Sequence, residues 1–167
     1  MRTTALFLAL LTTPSGASPR PLWRWEPEAF PLVVIMSDVD PAWRPDLERA
    51  VVWWNRELDR EVFLPVNELE DGGDGIVVVT VLAEPKGKLG TTSKSGTGAQ
   101  AIVRLVPHAE VDYPTRTAAH ELGHVLGLHH TGDTGGVMHH QILGGAWSVS
   151  DVERTLVIRA CFGPLAR

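Results

Sequence analysis

The hydrophobic and polar positions of the chain alternate in segments of strand and helix length. Compact apolar or β-branched runs predict strands at residues 32–36, 63–66, 76–83 and 101–106. A shorter strand is expected at residues 89–93, in a stretch rich in Gly, Ser, Thr and Lys. Apolar residues at helical spacing predict helices at residues 45–59, 114–128 and 148–162. This order of elements predicts an α+β domain in which helices pack on a twisted sheet.

Two of the helices carry further local signals. Leu47, Ala50, Val51 and Trp54 fall on one side of the first helix, which is therefore expected to be amphipathic. Ser148 and Asp151 fit the capping-box pattern, in which a hydroxyl and an acidic side chain three residues later satisfy free backbone N–H groups. We therefore expect the last helix to begin at about residue 148.

Composition excludes several classes of protein. The chain has 167 residues, of which 44% are hydrophobic and 21% are charged, which is typical of one globular domain. Fifteen Lys and Arg against 20 Asp and Glu give a net charge of −5, so no basic surface for nucleic acid is expected. The single cysteine, Cys161, excludes an intramolecular disulfide and is expected in the core. Nothing indicates an obligate assembly, so we expect a monomer.

The first 17 residues have the layout of a secretory signal peptide. Arg2 precedes an apolar run at residues 5–11, and Ser15 and Ala17 are small residues before a possible cleavage point. The run is too short to span a bilayer as a stable membrane anchor. We therefore expect a signal peptide at residues 1–17 and a domain at residues 18–167, secreted to the periplasm or the extracellular space.

The densest group of potential metal ligands lies at residues 120–130, on the second predicted helix. Positions i and i+4 of an α-helix lie about 40° apart around the axis and one turn apart along it. His120 and His124 therefore point the same way and can bind one metal ion. Glu121 is rotated by about 100° from His120. Its carboxylate is therefore placed to hold a water molecule at the metal rather than to act as a ligand.

A third ligand follows from the end of this helix. Gly127 can adopt the left-handed conformation that ends a helix, and the chain can then fold back and bring His130 to the metal. Three protein ligands and one open position describe a catalytic zinc site, whereas structural zinc sites have four protein ligands. Imidazole also suits zinc better than calcium or magnesium, which prefer oxygen ligands. The adjacent His129 is expected to be solvated.

The motif H-E-x-x-H-x-x-G-x-x-H resembles the signature of the metzincin clan of zinc endopeptidases. Its fixed positions are His120, Glu121, His124, Gly127 and His130. The clan also has a methionine in a tight turn beneath the metal, and Met138 in Gly136-Val137-Met138 matches it. Met138 lies eight residues after His130, a spacing similar to that of the matrixins, the matrix metalloproteinase family.

The resemblance implies a fold and an activity. A metzincin-like domain has a twisted, mostly parallel sheet of about five strands with three helices. The implied activity is hydrolysis of peptide bonds in a protein or peptide substrate, with Glu121 as general base. The substrate would lie extended in a cleft and pair as an added strand with a sheet edge near residues 89–93.

Other positions depart from the matrixin pattern or leave their role open. His140 stands where matrixins have proline, and it is interpreted either as a further ligand or transition-state stabiliser or as an exposed loop residue. Arg116 matches a position near the floor of the matrixin pocket for the residue after the cut, or is a solvated helix residue. Residues 84–90 contain no His or Asp for the second zinc of matrixins, so one zinc ion is expected. Asp71 and Asp74 leave calcium possible, but a plain turn is favoured.

Two other functions remain open at this point. One is an exported zinc-binding module that recognises peptides without cutting them. The intact Glu121 argues against it, because a module that only binds needs no general base. The other is a zinc hydrolase that acts on cell-wall peptides or non-peptide amides, which the same motif would also serve.

Overall fold

A computed structural model describes residues 21–68, 75–82, 87–95, 100–142 and 144–163. The strands are β1 Leu32–Ile35, β2 Phe63–Val66, β3 Ile76–Val81, β4 Gly90–Lys94 and β5 Gln100–Leu105. The α-helices are α1 Arg44–Glu57, α2 Pro114–Val125 and α3 Asp151–Phe162. Short 3-10 helices lie at Pro27–Ala29, Pro41–Trp43 and His108–Glu110. The predicted α+β class and the predicted strands and helices are confirmed.

The strands form one sheet in the order β2-β1-β3-β5-β4. Strands β2, β1, β3 and β5 run parallel to one another, and β4 pairs antiparallel with β5. The predicted mostly parallel sheet is therefore confirmed. Since β4 lies at the edge of the described sheet and faces α2, one side of its backbone is available beside that helix.

Tryptophan side chains join α1 to the rest of the core. Leu47, Ala50, Val51 and Trp54 are all buried, which confirms the predicted apolar side of α1. The indole N–H of Trp54 donates to the carbonyl oxygen of Ala119 in α2 at 2.8 Å. A buried indole N–H needs such a partner, and this one fixes α1 against the centre of α2. Packing of α1 against α2 therefore fixes the backbone that carries His120 and His124.

The last helix begins later than its sequence pattern predicts. Ser150, rather than Ser148, is the N-cap: its hydroxyl accepts from the backbone N–H of Glu153, and the Glu153 carboxylate accepts from the N–H of Ser150. The capping box placed at Ser148 and Asp151 is therefore wrong. Ser148 pairs instead with the loop before it, since its carbonyl accepts from Val137 N–H at 2.9 Å. That pairing fixes its backbone outside the helix.

Helix α2 also ends earlier than predicted, at Val125 rather than at residue 128. Gly127 has a φ of +87°, in the left-handed region that ends helices and that residues with a Cβ rarely adopt. The chain reverses direction there, as the sequence predicts. No helix in the described part of the chain is long and apolar enough to cross a membrane.

Candidate active site and metal centre

Three histidine side chains converge at the C-terminal end of α2. His120 and His124 lie one turn apart on the helix, and the reversal at Gly127 brings His130 to the same point. The Nε2 atom of His130 lies 3.1 Å from the Nε2 atoms of both His120 and His124. These residues are the group in the described chain whose ligand atoms lie close enough to hold a metal ion.

The geometry of this group fits zinc. Zinc–nitrogen bonds of about 2.0–2.1 Å at tetrahedral angles place two ligand nitrogens about 3.3 Å apart. The observed separations of 3.1 Å are close to that value. The Nδ1 atoms of His120 and His124 each lie 2.8 Å from a carbonyl oxygen, that of Val137 and that of Leu128 respectively. Because a carbonyl only accepts, each Nδ1 carries the proton and each Nε2 lone pair is left for a metal.

The surroundings of the histidines favour their neutral form. Burial, together with the nearby His124 and His130, lowers the pKa of His120 to about 4. Burial also lowers the pKa of His124 and of His130. Neutral imidazole is the form that binds a metal, so the unprotonated ligand set is ready at neutral pH.

Glu121 lies beside the histidines and is almost fully buried, with 5% of its surface exposed. Its Oε2 atom accepts a hydrogen bond of 2.6 Å from the hydroxyl of Thr92 on β4. Burial raises the pKa of Glu121 and outweighs the Thr92 hydrogen bond and the charge of Lys88, which lower it, so that the pKa lies at about 7. A carboxyl group with a pKa near neutrality can both accept and return a proton, which general acid–base catalysis requires.

The edge strand leaves room for this carboxylate only because it has a glycine there. A Cβ atom at Gly90 would lie 2.7 Å from Oε1 of Glu121, which is too close for a non-bonded contact. Neither Gly90 nor Thr92 was identified from the sequence. The prediction of an edge strand near residue 90 is the signal that could have pointed to them, but strand pattern alone does not show which side chains face α2.

The turn after the third histidine forms the floor of the site. Met138 is fully buried, and a Cβ at Gly123 of α2 would lie 2.3 Å from its sulfur atom. A glycine inside a helix costs about 1 kcal/mol relative to alanine, and close packing against Met138 accounts for it here. The N–H of Thr131 donates to the carbonyl of Met138 at 2.8 Å, which ties the turn to the third ligand.

A cleft of about 540 Å³ opens over this group. Its lining includes residues 87–92 and the segment His140, Gln141 and Ile142. His140 is exposed and lines the cleft, but it is not part of the three-histidine group. Its role as a further ligand or transition-state stabiliser stays a prediction.

Arg116 lies away from this cleft. Its side chain is buried, and the guanidinium donates to the carbonyl oxygen of Gly136 at 2.9 Å, at the start of the methionine turn. A role in the specificity pocket stays a prediction. His129 is exposed and outside the metal-binding group. Asp71, Asp74, residues 83–86 and residues 1–20 lie outside the described residues, as do the calcium site and the signal peptide predicted there.

Comparison with known families identifies the class of the protein. The three-histidine group with an adjacent buried carboxylate is the arrangement that the sequence motif predicts. The family model described as matrixin matches residues 38–151, which is more than half of the chain. The chain therefore belongs to the matrixin family, whose members bind zinc. A comparison with curated proteins finds no match.

Proposed function

We propose that this protein is a zinc-dependent endopeptidase that hydrolyses peptide bonds with Glu121 as general base. The observation that carries the proposal is the shared cleft. Three imidazoles converge, with the Nε2 atom of His130 lying 3.1 Å from those of His120 and His124, and Glu121 lines the same cleft. A structural zinc site would have a fourth protein ligand instead of an open side.

His120, His124 and His130 would hold the zinc ion. Bound zinc supplies Lewis acidity, which lowers the pKa of water and polarises a carbonyl oxygen. Glu121 accepts the proton of the water that attacks the scissile carbonyl carbon. It then donates that proton to the amine nitrogen of the departing product, so that the carboxylate is regenerated. Thr92 would hold the carboxylate in place during both steps, proton uptake and proton release, with its hydroxyl 2.6 Å from Oε2.

The substrate would bind in an extended conformation along β4. This strand is an edge of the described sheet and lines the cleft, so its free backbone groups can pair with an added strand. His140 lines the same cleft, and its imidazole would donate to the oxygen that gains negative charge. Arg116 would act by positioning, because it holds the carbonyl of Gly136 beneath the site.

Other proposals concern the whole protein. The sequence of residues 1–17 supports export, with removal of a signal peptide and release into the periplasm or the extracellular space. We propose that the mature domain acts as a monomer with one zinc ion. N-terminal sequencing of the exported product and measurement of its molar mass in solution test these points.

The second candidate function is a zinc hydrolase that acts on cell-wall peptides or other amides. The same water and the same Glu121 would attack any carbonyl that reaches the cleft. A peptide-recognition module without catalysis is less consistent with the site, because a binding module does not need a buried carboxylate with a pKa of about 7. The identity of the cleaved bonds separates these functions.

The test is a digest of a diverse peptide mixture by the purified, zinc-loaded protein, with new termini identified by mass spectrometry. Glu121→Gln removes the general base and keeps the size of the side chain. Glu110→Gln, in an exposed 3-10 turn away from the cleft, is the matched control. New termini with the native protein and the control, but not with Glu121→Gln, support an endopeptidase. A folded, zinc-loaded protein that cuts no peptide contradicts the proposal.

A further inference from the structure

The residues that precede the sheet form a strap across the end of the active-site helix. This N-terminal strap, residues 21–25, is held by three hydrogen bonds to α2 and the turn after it. The backbone N–H of Leu22 donates to the carbonyl of Gly127 at 2.7 Å. The indole N–H groups of Trp23 and Trp25 both donate to the carbonyl of Val125 at 2.8 Å. The strap therefore satisfies carbonyl groups that the end of a helix leaves without a partner.

The edge strand holds the strap from its other side. The Nζ atom of Lys94, the last residue of β4, lies 4.0 Å from the ring centroid of Trp25 and donates to the carbonyl of Arg24. Gly127 also permits the close approach, because a Cβ there would lie 2.7 Å from the carbonyl oxygen of Trp23. The strap is thus fixed against both structures that form the cleft, the edge strand and the active-site helix.

Two strap residues, Leu22 and Trp23, line the cleft, although Trp23 also packs against the core. Trp25 is buried, whereas Trp23 is half-buried and 43% of Leu22 is exposed. Leu22 and Trp23 line the same cleft as His124 and His130. A strap that only covered the helix end would not need an exposed leucine at this position. The pair adds an apolar wall at one end of a cleft whose centre is polar.

The position of Glu121 shows which part of a substrate would meet this wall. Glu121 contacts the start of β4, at Gly90 and Thr92, whereas the strap contacts the end of that strand, at Lys94. The departing amine belongs to the carboxyl-side part of the substrate and must reach Glu121 to receive a proton. The residues on the amino side of the cut therefore extend in the other direction, toward the strap.

We propose that Leu22 and Trp23 form a specificity wall that selects apolar side chains on the amino side of the scissile bond. This inference rests on the proposed peptidase function, since it places a peptide in the cleft. The wall acts by removing an apolar substrate side chain from water, so it favours leucine-like or aromatic residues over charged ones. It leaves the preference on the carboxyl side of the cut unchanged.

The first test measures binding without cleavage. The probe is a short apolar peptide that ends in a hydroxamate, which binds the metal and places its side chains on the amino side of the cleft. Leu22→Ala in the zinc-loaded protein is expected to weaken its binding by about five- to tenfold. Acetohydroxamate, which has no side chains, should bind the native protein and the variant equally. Equal affinity of the peptide for both proteins would overturn the inference.

Leu64→Ala is the matched control variant. Leu64 is also a partly exposed leucine, at 39%, but it lies on β2 at the opposite edge of the sheet. This variant should bind both hydroxamates as the native protein does. A loss of affinity as large as that of Leu22→Ala would show that the effect is not specific to the strap, and would contradict the inference.

The second test introduces a positive charge into the wall and measures how the cleavage profile changes. Leu22→Arg should lower the frequency of apolar residues at one amino-side position of the cleaved peptides and raise that of Asp and Glu. Leu22 does not belong to the buried core, so this variant should keep the melting temperature of the native protein. A profile identical to the native one would overturn the inference. A native protein that prefers the apolar hydroxamate but cuts nothing would leave the strap assignment intact and reject the proposed peptidase function.

Discussion

Two side-chain clusters that contain histidine contact α2, and they differ in the partners of their imidazoles. In the cleft, His120, His124 and His130 face one another, and no carboxylate is among their hydrogen-bond partners. Near the first turn of α2, His108 faces a carboxylate instead: its Nε2–H donates to Oδ2 of Asp46 at 2.9 Å.

The Asp46 cluster joins three elements. Arg49 of α1 donates to Oδ1 of Asp46 at 2.7 Å, and the hydroxyl of Thr115 in α2 donates to the same oxygen. Burial raises the pKa of Asp46, but the hydrogen bonds from Thr115, His108 and Arg49 outweigh it and hold the pKa below its ordinary value. The carboxylate is therefore satisfied by the protein's own donors and has no need of a metal.

The difference shows that the partners of a histidine decide its role. An imidazole opposite a carboxylate is a hydrogen-bond donor in a structural cluster. Imidazoles opposite one another, with Nδ1 atoms donating to carbonyls, leave converging lone pairs that only a cation satisfies. Metal binding is therefore expected of the first cluster and a contribution to stability of the second, and substitutions in each should separate these effects.

The largest effect is expected from removing a metal ligand. His124→Ala leaves two imidazoles, so bound zinc should fall well below one ion per chain and peptide cleavage should drop by at least about 10³-fold. His108→Ala is the matched histidine control and should keep both. Metal content is measured by elemental analysis and cleavage with a fluorogenic peptide. Loss of zinc in His108→Ala would contradict the conclusion that the Asp46 cluster does not take part in metal binding.

A smaller but clear loss of activity is expected from Gly90→Ala. The new methyl group would displace Glu121 from its place beside Thr92, and a misplacement of about 1 Å in a catalytic group can cost about 10²-fold in rate. Zinc content should stay unchanged because the three atoms nearest to the new methyl group all belong to Glu121. Gly132→Ala is the control, since a Cβ there meets no atom within 4 Å. Full activity of Gly90→Ala would contradict the assigned position of the general base.

In the other cluster the expected effect is on stability. Asp46→Asn removes the charge that three donors share, and an amide group also presents N–H where an acceptor is needed. The free energy of unfolding should fall by about 2 kcal/mol, because Arg49 and His108 are partly exposed and recover some hydration. Chemical denaturation measures it. Zinc content and the activity of the folded fraction should be those of the native protein, and a loss of zinc would show that the clusters are coupled.

The difference in unfolding free energy between the native protein and Asp46→Asn should depend on pH, because the pKa of Asp46 is lowered in the folded state. A carboxylate whose pKa is lower in the folded state stabilises the fold above its ordinary pKa of 3.8. The stabilisation is lost as the pH falls through the lower, folded-state value. The gap in unfolding free energy between the native protein and Asp46→Asn should therefore be constant from pH 7 to about pH 5 and shrink at lower pH. A gap that grows on acidification would contradict this sign.

The smallest effect is expected at His140. His140→Ala should keep one zinc ion per chain and lower the rate of cleavage by about tenfold, the low end of the effect of one transition-state hydrogen bond. Unchanged turnover with unchanged metal content would show that His140 is an exposed loop residue. A loss of zinc would instead show that it is a further ligand.

Much of the candidate site could be predicted because it depends on short-range geometry. The i, i+4 spacing of His120 and His124 and the reversal at Gly127 are local, and the sequence motif contains both. The apolar side of α1 and the predicted strands follow from periodicity in the same way. The predicted start of α3 was wrong because Ser148 pairs with the methionine-turn loop. This contact between separate segments overrides the local capping pattern.

The contacts between distant segments were not predictable. Thr92 and Gly90 meet Glu121 across 29 and 31 positions of the chain, and only the pairing of β4 brings them there. The Asp46–His108 contact spans 62 positions, and the hydrogen bond from Trp23 to Val125 spans 102. Residue types alone did not separate the three converging histidines from His108. The motif separated them, because its spacing brings His120, His124 and His130 together in the folded chain.

The most direct test of the account is a zinc titration of the metal-free protein in which bound zinc and peptide cleavage are measured together. Cleavage should be absent without zinc, rise in proportion to bound zinc and stop rising at one equivalent per chain. Glu121→Gln should bind the same equivalent of zinc without gaining activity. Cleavage by the metal-free protein, or activity that appears only with a second equivalent, would contradict the account.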